Sequence, residues 1–193
     1  MNIRLELLSD TIFGSGMSIP GGEDIALLHD EDGFPYLKAA TFKGILREEA
    51  ENYLNWIQKD PSAPVPGEWL ASRFGKDGIN PADNPYSIFV SDFTLPSAIR
   101  EEVRHEYADP EEIFTSLRTF TQLENGIAKE GSLRVARCIN KGFIFYGTLQ
   151  CHPEDEKMME DILSCIKWMG SMRTRGFGRV KVSVLPDPSK SDK

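Results

Sequence analysis

Ten residues near the C-terminus, Gly170 to Arg179, read G-S-M-R-T-R-G-F-G-R and set the tightest limit on what the chain can fold into. Three glycines, three arginines and one phenylalanine stand there between an expected amphipathic helix, Glu154 to Met169, and an expected final strand, Arg179 to Leu185. Glycine takes positive φ without steric cost and lets the backbone come close to a bulky ligand, so this connection is expected to be irregular and ligand-approachable. The arginine forks match phosphate oxygens, and Phe177 offers a face on which a base can stack. The plain alternative is a helix C-cap followed by a surface turn with solvated charges. Against it stands the absence of any acidic residue from Gly170 to Leu185 in a chain of formal net charge -8.

With 193 residues, 40% of them hydrophobic, the chain supports a single packed domain spanning residues 1–193. It holds no apolar run of about 18 residues, and M-N-I-R-L-E-L-L-S-D is too short and too charged for a signal peptide. The expectation is a soluble, cytoplasmic protein with no membrane partner. Cys138, Cys151 and Cys165 form no C-x-x-C pair, and His29, His105 and His152 show no zinc spacing with them. Reduced, mostly buried thiols are expected, with neither disulfide nor zinc. A sequence pI near 5.0 argues against indiscriminate nucleic-acid binding. The charges are segregated, however. Acids crowd into Glu23 to Asp32, Glu48 to Glu51, Glu101 to Glu112 and Glu154 to Asp161, while bases gather in the glycine-arginine loop and at Arg134, Arg137 and Lys141. That separation permits one basic face on an acidic body.

From the N-terminus, Asn2 to Leu8 alternates as a strand with Ile3, Leu5 and Leu7 inward. A loop marked by Gly14, Gly16, Gly21 and Gly22 follows, and Ile25–Leu28 and Phe34–Leu37 flank the turn signal Asp32-Gly33 as a short hairpin. Thr41 is the N-cap candidate of a helix whose apolar face is Ile45, Ala50, Tyr53, Leu54 and Ile57. Lys43 and Arg47 share a side near its start, either as solvated charges or reaching a phosphate. Residues 60–85 carry Pro61, Pro64, Pro66, Pro81 and Pro85 and read as an insertion with a short helix around Trp69 to Phe74. Tyr86 to Leu95 reads as a strand, Ser97 to Tyr107 as a short helix, and Asp109-Pro110 as its end or the start of another. Residues 118–133, with turn signals Asn125-Gly126 and Glu130-Gly131, form a protruding, thumb-like extension. Leu133–Ile139 and Gly142–Cys151 are expected to pair as an antiparallel hairpin across Asn140-Lys141-Gly142. The helix Pro153 to Met169 carries acids in its first turn, and residues 186–193 form a disordered tail. The order predicts an α+β fold: a ferredoxin-like β-α-β-β-α-β sandwich with an added hairpin, the Pro-rich insertion and the thumb. Fold alone licenses no function.

Four segments, taken in order, resemble a known family. They are the Gly-rich loop after the first strand, G-F-P-Y-L-K-A-A-T-F-K-G-I-L-R, G-I-A-K-E-G-S-L-R and the closing G-S-M-R-T-R-G-F-G-R. Together they are similar to the RAMP proteins of CRISPR effector complexes, most nearly the backbone subunits of type III. The resemblance implies a subunit that grips guide RNA along its backbone, pushes its thumb between bases, stacks against other RAMP subunits and meets complementary target RNA. Arginines and glycines that hold phosphates without reading bases suit that task. On this reading Arg173, Arg175 and Arg179, with Gly176, Phe177 and Gly178, face RNA; Lys43 and Arg47 come next, and Lys129, Arg134 and Arg137 surround the thumb base. The resemblance also implies a loop aspartate that cleaves target RNA with a divalent metal. Asp24 is the matching position, with Glu23 the near alternative, and it is the candidate both for catalysis and for holding Mg²⁺.

Other readings stay open at this point. One is a guide-RNA scaffold, or a subunit capping the guide's 5′ end, without chemistry. Another is a metal-independent guide-processing endoribonuclease, which needs a base near the phosphate; His29 is the histidine closest to the Gly-rich segment. A nucleotide-binding enzyme ranks last, because G-x-x-x-x-G-K-[ST] and G-x-S-x-G are absent and G-F-G-R follows a helix where a dinucleotide fingerprint would open one.

Overall fold

Alternation in the first strand is realised directly: Ile3, Leu5 and Leu7 are buried while Asn2, Arg4 and Glu6 lie on the opposite face. The computed structural model describes residues 1–19, 22–59, 63–75, 84–106 and 109–186. Gly21, Pro61, Pro81 and residues 187–193 of the expected tail lie outside them. In chain order the elements are β1 (Asn2–Leu7), α1 (Ala39–Ile57), α2 (Pro66–Phe74), β2 (Phe89–Val90), α3 (Ser97–His105), α4 (Pro110–Phe114), β3 (Thr115–Phe120), β4 (Leu123–Glu124), β5 (Ile127–Ala128), β6 (Arg134–Ile139), β7 (Ile144–Gln150), α5 (Glu156–Cys165) and β8 (Val180–Leu185). One antiparallel sheet has the order β2-β7-β1-β8; β3 pairs with β6, and β4 with β5. Among the described residues no helix is long and apolar enough to cross a membrane.

Helix α1 packs through Phe42, Leu46, Ala50 and Leu54, one residue every four. This corrects the expected face: Ile45, Tyr53 and Ile57 only flank the stripe, and Trp56 is 79% exposed. The ring of Phe42 stacks on Phe93 with centroids 4.3 Å apart. Phe93 in turn lies flat on Gly147 of β7, where a Cβ would come within 2.9 Å of the ring. The helix also begins at Ala39, ahead of Thr41. Its first amide is capped by a distant carboxylate, Asp92 Oδ1 accepting the Ala39 N–H at 2.6 Å.

Four further expectations are corrected. The hairpin Leu133–Ile139/Gly142–Cys151 does not form: β6 pairs with β3 from Thr115↔Ile139 to Phe120↔Arg134, and β7 pairs with β1. Asn140–Gly142 instead carries the chain between sheets, with the Asn140 N–H on Phe114 O and the Gly142 N–H on Leu7 O. The hairpin around Asp32-Gly33 reduces to single bridges such as His29↔Pro35, and Tyr86–Leu95 shrinks to β2 plus bridges at Phe93 and Thr94. Arg100 and Arg104 of α3 fasten that turn by pairing with Asp30 and Asp32 and stacking on Phe34. Finally, α5 ends at Cys165, four residues short of Met169. The Lys167 carbonyl accepts the Val180 N–H, and the Met169 N–H donates to Gly178 O, so the chain is already extended there. Ile166 and Met169 are buried either way, which is why helical spacing misled.

The insertion is anchored by a polar cluster. Arg73 of α2 lies against the rings of Trp69 and Tyr86 and donates to the buried Asp155 at 3.0 and 3.3 Å. Of the thiols, Cys138 is buried and Cys165 is exposed. Burial, with Asp155 and Glu156 adding to it, pushes the half-buried Cys151 up to about 11.

Candidate nucleic-acid interface

Residues 167–169 pair with 178–180, so the glycine-arginine stretch is the loop of a hairpin. Its root leaves no space for side chains. At Gly178 (φ +77) a Cβ would stand 1.9 Å from Met169 O, and at Gly170 (φ +79) 2.4 Å from Ile12 O. The Gly178 N–H donates to Asp10 O (2.9 Å) and the Ser171 N–H to Ile12 O (3.1 Å), fixing the root to the chain just after β1. Beyond the root, left-handed Met172 opens a single 3₁₀ turn, Arg173–Arg175, that ends at left-handed Gly176.

This turn presents uncompensated charge. Arg173, Arg175 and Arg179 are exposed, and among the described residues none has a carboxylate within ion-pair distance. Arg4, Arg73, Arg100, Arg104, Arg118, Arg134 and Arg137 all do. Arg173 does act at longer range on Glu49 of α1: burial pushes that carboxyl up, Glu48 adds to the rise, and Arg173 draws it back.

The loop meets the base of the thumb. The Phe177 ring packs edge-on against Phe120 at the end of β3, with centroids 5.5 Å apart, and the Arg175 guanidinium lies 5.6 Å from the same Phe120 ring. Asp10 ties these parts together. Its carboxylate accepts from Arg118 Nη2 (2.8 Å) and from the Lys141 N–H (3.0 Å), while its carbonyl holds Gly178. An open cleft of about 380 Å³ lies alongside, between Arg118, Lys141 and Phe177. Neither Asp10 nor Phe120 stood out in the sequence, because their importance arises from the β3–β6 pairing and no local motif marks them.

Other expected site residues are placed differently. Lys43 Nζ donates to Ile88 O at 2.7 Å, and burial depresses its ammonium. It therefore tethers α1 to the segment before β2. Arg47 is exposed on the side of α1 that faces α2, lining an open cleft with Glu51 and Glu68. At the thumb, Lys129 stands 3.8 Å from Glu124 and Arg134 3.9 Å from Asp24. Arg137 is turned inward, its guanidinium bonded to buried Glu23 (2.6 Å), to Glu111 (2.9 Å) and to Thr115 Oγ1 (3.2 Å).

Asp24 is clamped alongside β6, next to the parallel bridge between Ile25 and Ala136. Its N–H donates to Val135 O (2.8 Å), and its Oδ2 accepts the Val135 N–H (2.7 Å), while the side chain stays 41% exposed. Among the described residues no three His, Cys, Asp or Glu side chains gather as a metal cluster. Mg²⁺ needs only one or two protein carboxylates where RNA phosphates and water complete its shell. Of the Asp24 oxygens, Oδ2 is taken by the Val135 N–H and Oδ1 lies 3.9 Å from Arg134 Nε at the surface, whereas Glu23 is committed to Arg137. His29 is half-buried, and its Nε2 is buried without a hydrogen-bond partner among the described residues.

No curated protein matches the sequence. Among solved structures, a chain of "Type III-B Cmr-beta Cryo-EM structure of the Apo state" superposes with a TM-score of 0.67 at 12% identity, covering 96% of this chain and 97% of that one. A chain of the type III-B Cmr-beta complex bound to cognate target RNA gives 0.67 at 13% identity, covering 96% of this chain and 58% of that one. At such identities the likeness is one of fold. The model of the RAMP superfamily matches residues 4–181, from β1 into β8 and across the whole glycine-arginine loop. The chain therefore belongs to the RAMP superfamily.

Proposed function

We propose that this protein is a subunit of a type III CRISPR effector complex that holds guide RNA by its sugar–phosphate backbone, beside other RAMP subunits and complementary target RNA. We read its frame as ferredoxin-like, because β1, β2, β7 and β8 with α1 and α5 give the β-α-β-β-α-β order and β7 and β1 are central in the sheet. The observation that carries the functional reading is the trio Arg173, Arg175 and Arg179, exposed on a rigid root without ion-pair partners among the described residues. Guanidinium forks on phosphates position a strand and carry no base information. The test is binding of the full chain to unrelated 20-nucleotide single-stranded RNAs between 50 and 300 mM salt. The expected result is affinities within about threefold of one another, falling with log salt at a slope of about -2 or steeper. A preference for one sequence above tenfold, or a flat salt response, contradicts the proposal.

Cleavage of the target strand is a second reading, favoured by the fixed and exposed carboxylate of Asp24. A Mg²⁺ held there would polarise a scissile phosphate. Asp24→Asn keeps an acceptor for the Val135 amide, so it separates chemistry from folding. In an assembled complex with complementary RNA and Mg²⁺, it should slow cutting about a hundredfold or more while RNA binding stays within twofold. Equal cutting by Asp24→Asn and parent removes Asp24 from the site, and no cutting by the parent leaves the scaffold.

A further inference from the structure

Trp168 plays no part in the site described so far, yet its surroundings are specific. Three adjacent chain segments place Leu8, Arg179 and Trp168 side by side. The Leu8 N–H donates to Arg179 O at 2.8 Å, and Trp168 forms an antiparallel bridge with Arg179. Two pairs further along, past the buried pair Leu7 and Val180, Glu6 stands opposite Lys181. Residues facing one another across antiparallel strands point to the same side. Leu8 and Trp168 are 43% and 42% exposed there, with Arg179 and Lys181 beside them. Together with Lys167 they line a shallow cavity of about 510 Å³, large enough for a nucleotide. The nearest carboxylate on that face, Glu6, is already bonded to Arg4 at 2.7 Å.

Charge selects the occupant. Arg179 and Lys181 stand on the same side as the indole, Lys167 Nζ at the rim is held on Ser164 O, and no acidic residue lies between Lys167 and Leu185. An aromatic face with cations beside it is what a single-stranded nucleic acid needs, a base stacking on the ring while flanking phosphates meet the charges. The cavity also neighbours the loop site, because Leu8 borders both it and the cleft lined by Arg118, Lys141 and Phe177.

We propose that Trp168 is a stacking platform for one base of a single-stranded RNA, with Arg179 and Lys181 on the neighbouring phosphates. The strand held at the glycine-arginine loop thus continues across Leu8 into this cavity. The inference rests on the RNA-binding reading above and adds to it a specific base contact and a direction for the strand.

The experiment uses the full chain carrying Trp56→Phe. Trp69 is buried, so Trp168 is then the exposed indole. Titration with 12-nucleotide oligo-U and oligo-A is followed by tryptophan emission and by anisotropy of labelled RNA. RNA should quench the emission. Trp168→Ala should weaken binding about tenfold or more without changing the salt slope, Trp168→Phe should restore it to within about threefold, and Lys181→Ala should lower the slope by about 0.7. If the parent binds RNA with no quenching, and Trp168→Ala and Trp168→Phe bind equally well, the stacking platform is refuted while the RNA-binding reading stands. Absence of binding by the parent refutes both. Unchanged RNA affinity with lost assembly into the complex assigns the indole to a protein neighbour and also overturns the proposal.

Discussion

Replacing Arg173, Arg175 and Arg179 together with alanine is expected to lower affinity for single-stranded RNA about a hundredfold at 0.1 M salt and to flatten the salt slope by about two. Each phosphate contact on a single strand contributes about 0.7 to that slope, and at 0.1 M the three contributions multiply to two decades. The loss should be equal for unrelated sequences, because guanidinium–phosphate contacts do not read bases. Arg137→Ala is the informative contrast. Its guanidinium is spent on Glu23 and Glu111, so removing it should lower stability by stranding a buried carboxylate and leave the salt slope unchanged. Filter binding across a salt series, with thermal melts of each variant, decides the matter. A triple variant that still binds within threefold of the parent, or loses only one RNA sequence, removes the loop from the interface.

Gly178→Ala should be the most damaging single methyl group in this region. The residue sits at φ +77, and a Cβ would fall 1.9 Å from the Met169 carbonyl oxygen, a backbone atom that no rotamer change can move aside. Left-handed backbone costs a non-glycine residue about 1–2 kcal/mol. Relieving the overlap also breaks the Met169 N–H···Gly178 O and Gly178 N–H···Asp10 O bonds, each worth about 1 kcal/mol. The sum is about 3–4 kcal/mol, or a fall in Tm of about 10 °C for a chain of this size. Gly176→Ala is the control. Its φ is +87, but a Cβ there meets nothing within 4 Å, so it should cost only about 1–2 kcal/mol. Equal melting temperatures for Gly178→Ala and the parent would show that the loop root is not the rigid part of the site.

Local patterns carried a good share of this fold. Alternation at Ile3, Leu5 and Leu7 identifies β1, Pro66 opens α2, and Asp109-Pro110 starts α4 with the Asp109 carboxylate accepting the Glu111 N–H. The glycine-arginine loop was legible for the same reason: its residue types are unusual whatever surrounds them. Partner choice was not legible. Asn140-Lys141-Gly142 carries a good hairpin signal, yet β6 and β7 each find a better ladder elsewhere, with β3 and with β1. Thr41 is an ordinary N-cap residue, overridden by Asp92 from across the fold. The same blindness affected the site. Lys43 and Arg137 carry the right charge, but Ile88 and Glu23, which hold them, lie far off in sequence. Trp168 was hidden because helical spacing placed it in α5, whereas α5 has already ended at Cys165.

The two anchors of the loop, Ser171 on Ile12 and Gly178 on Asp10, are both main-chain bonds, so they are indifferent to the side chains between them. The exposed segment from Arg173 to Gly176 is therefore a replaceable fingertip: lengthening it, or exchanging its arginines, changes reach and charge without altering any strand register behind it.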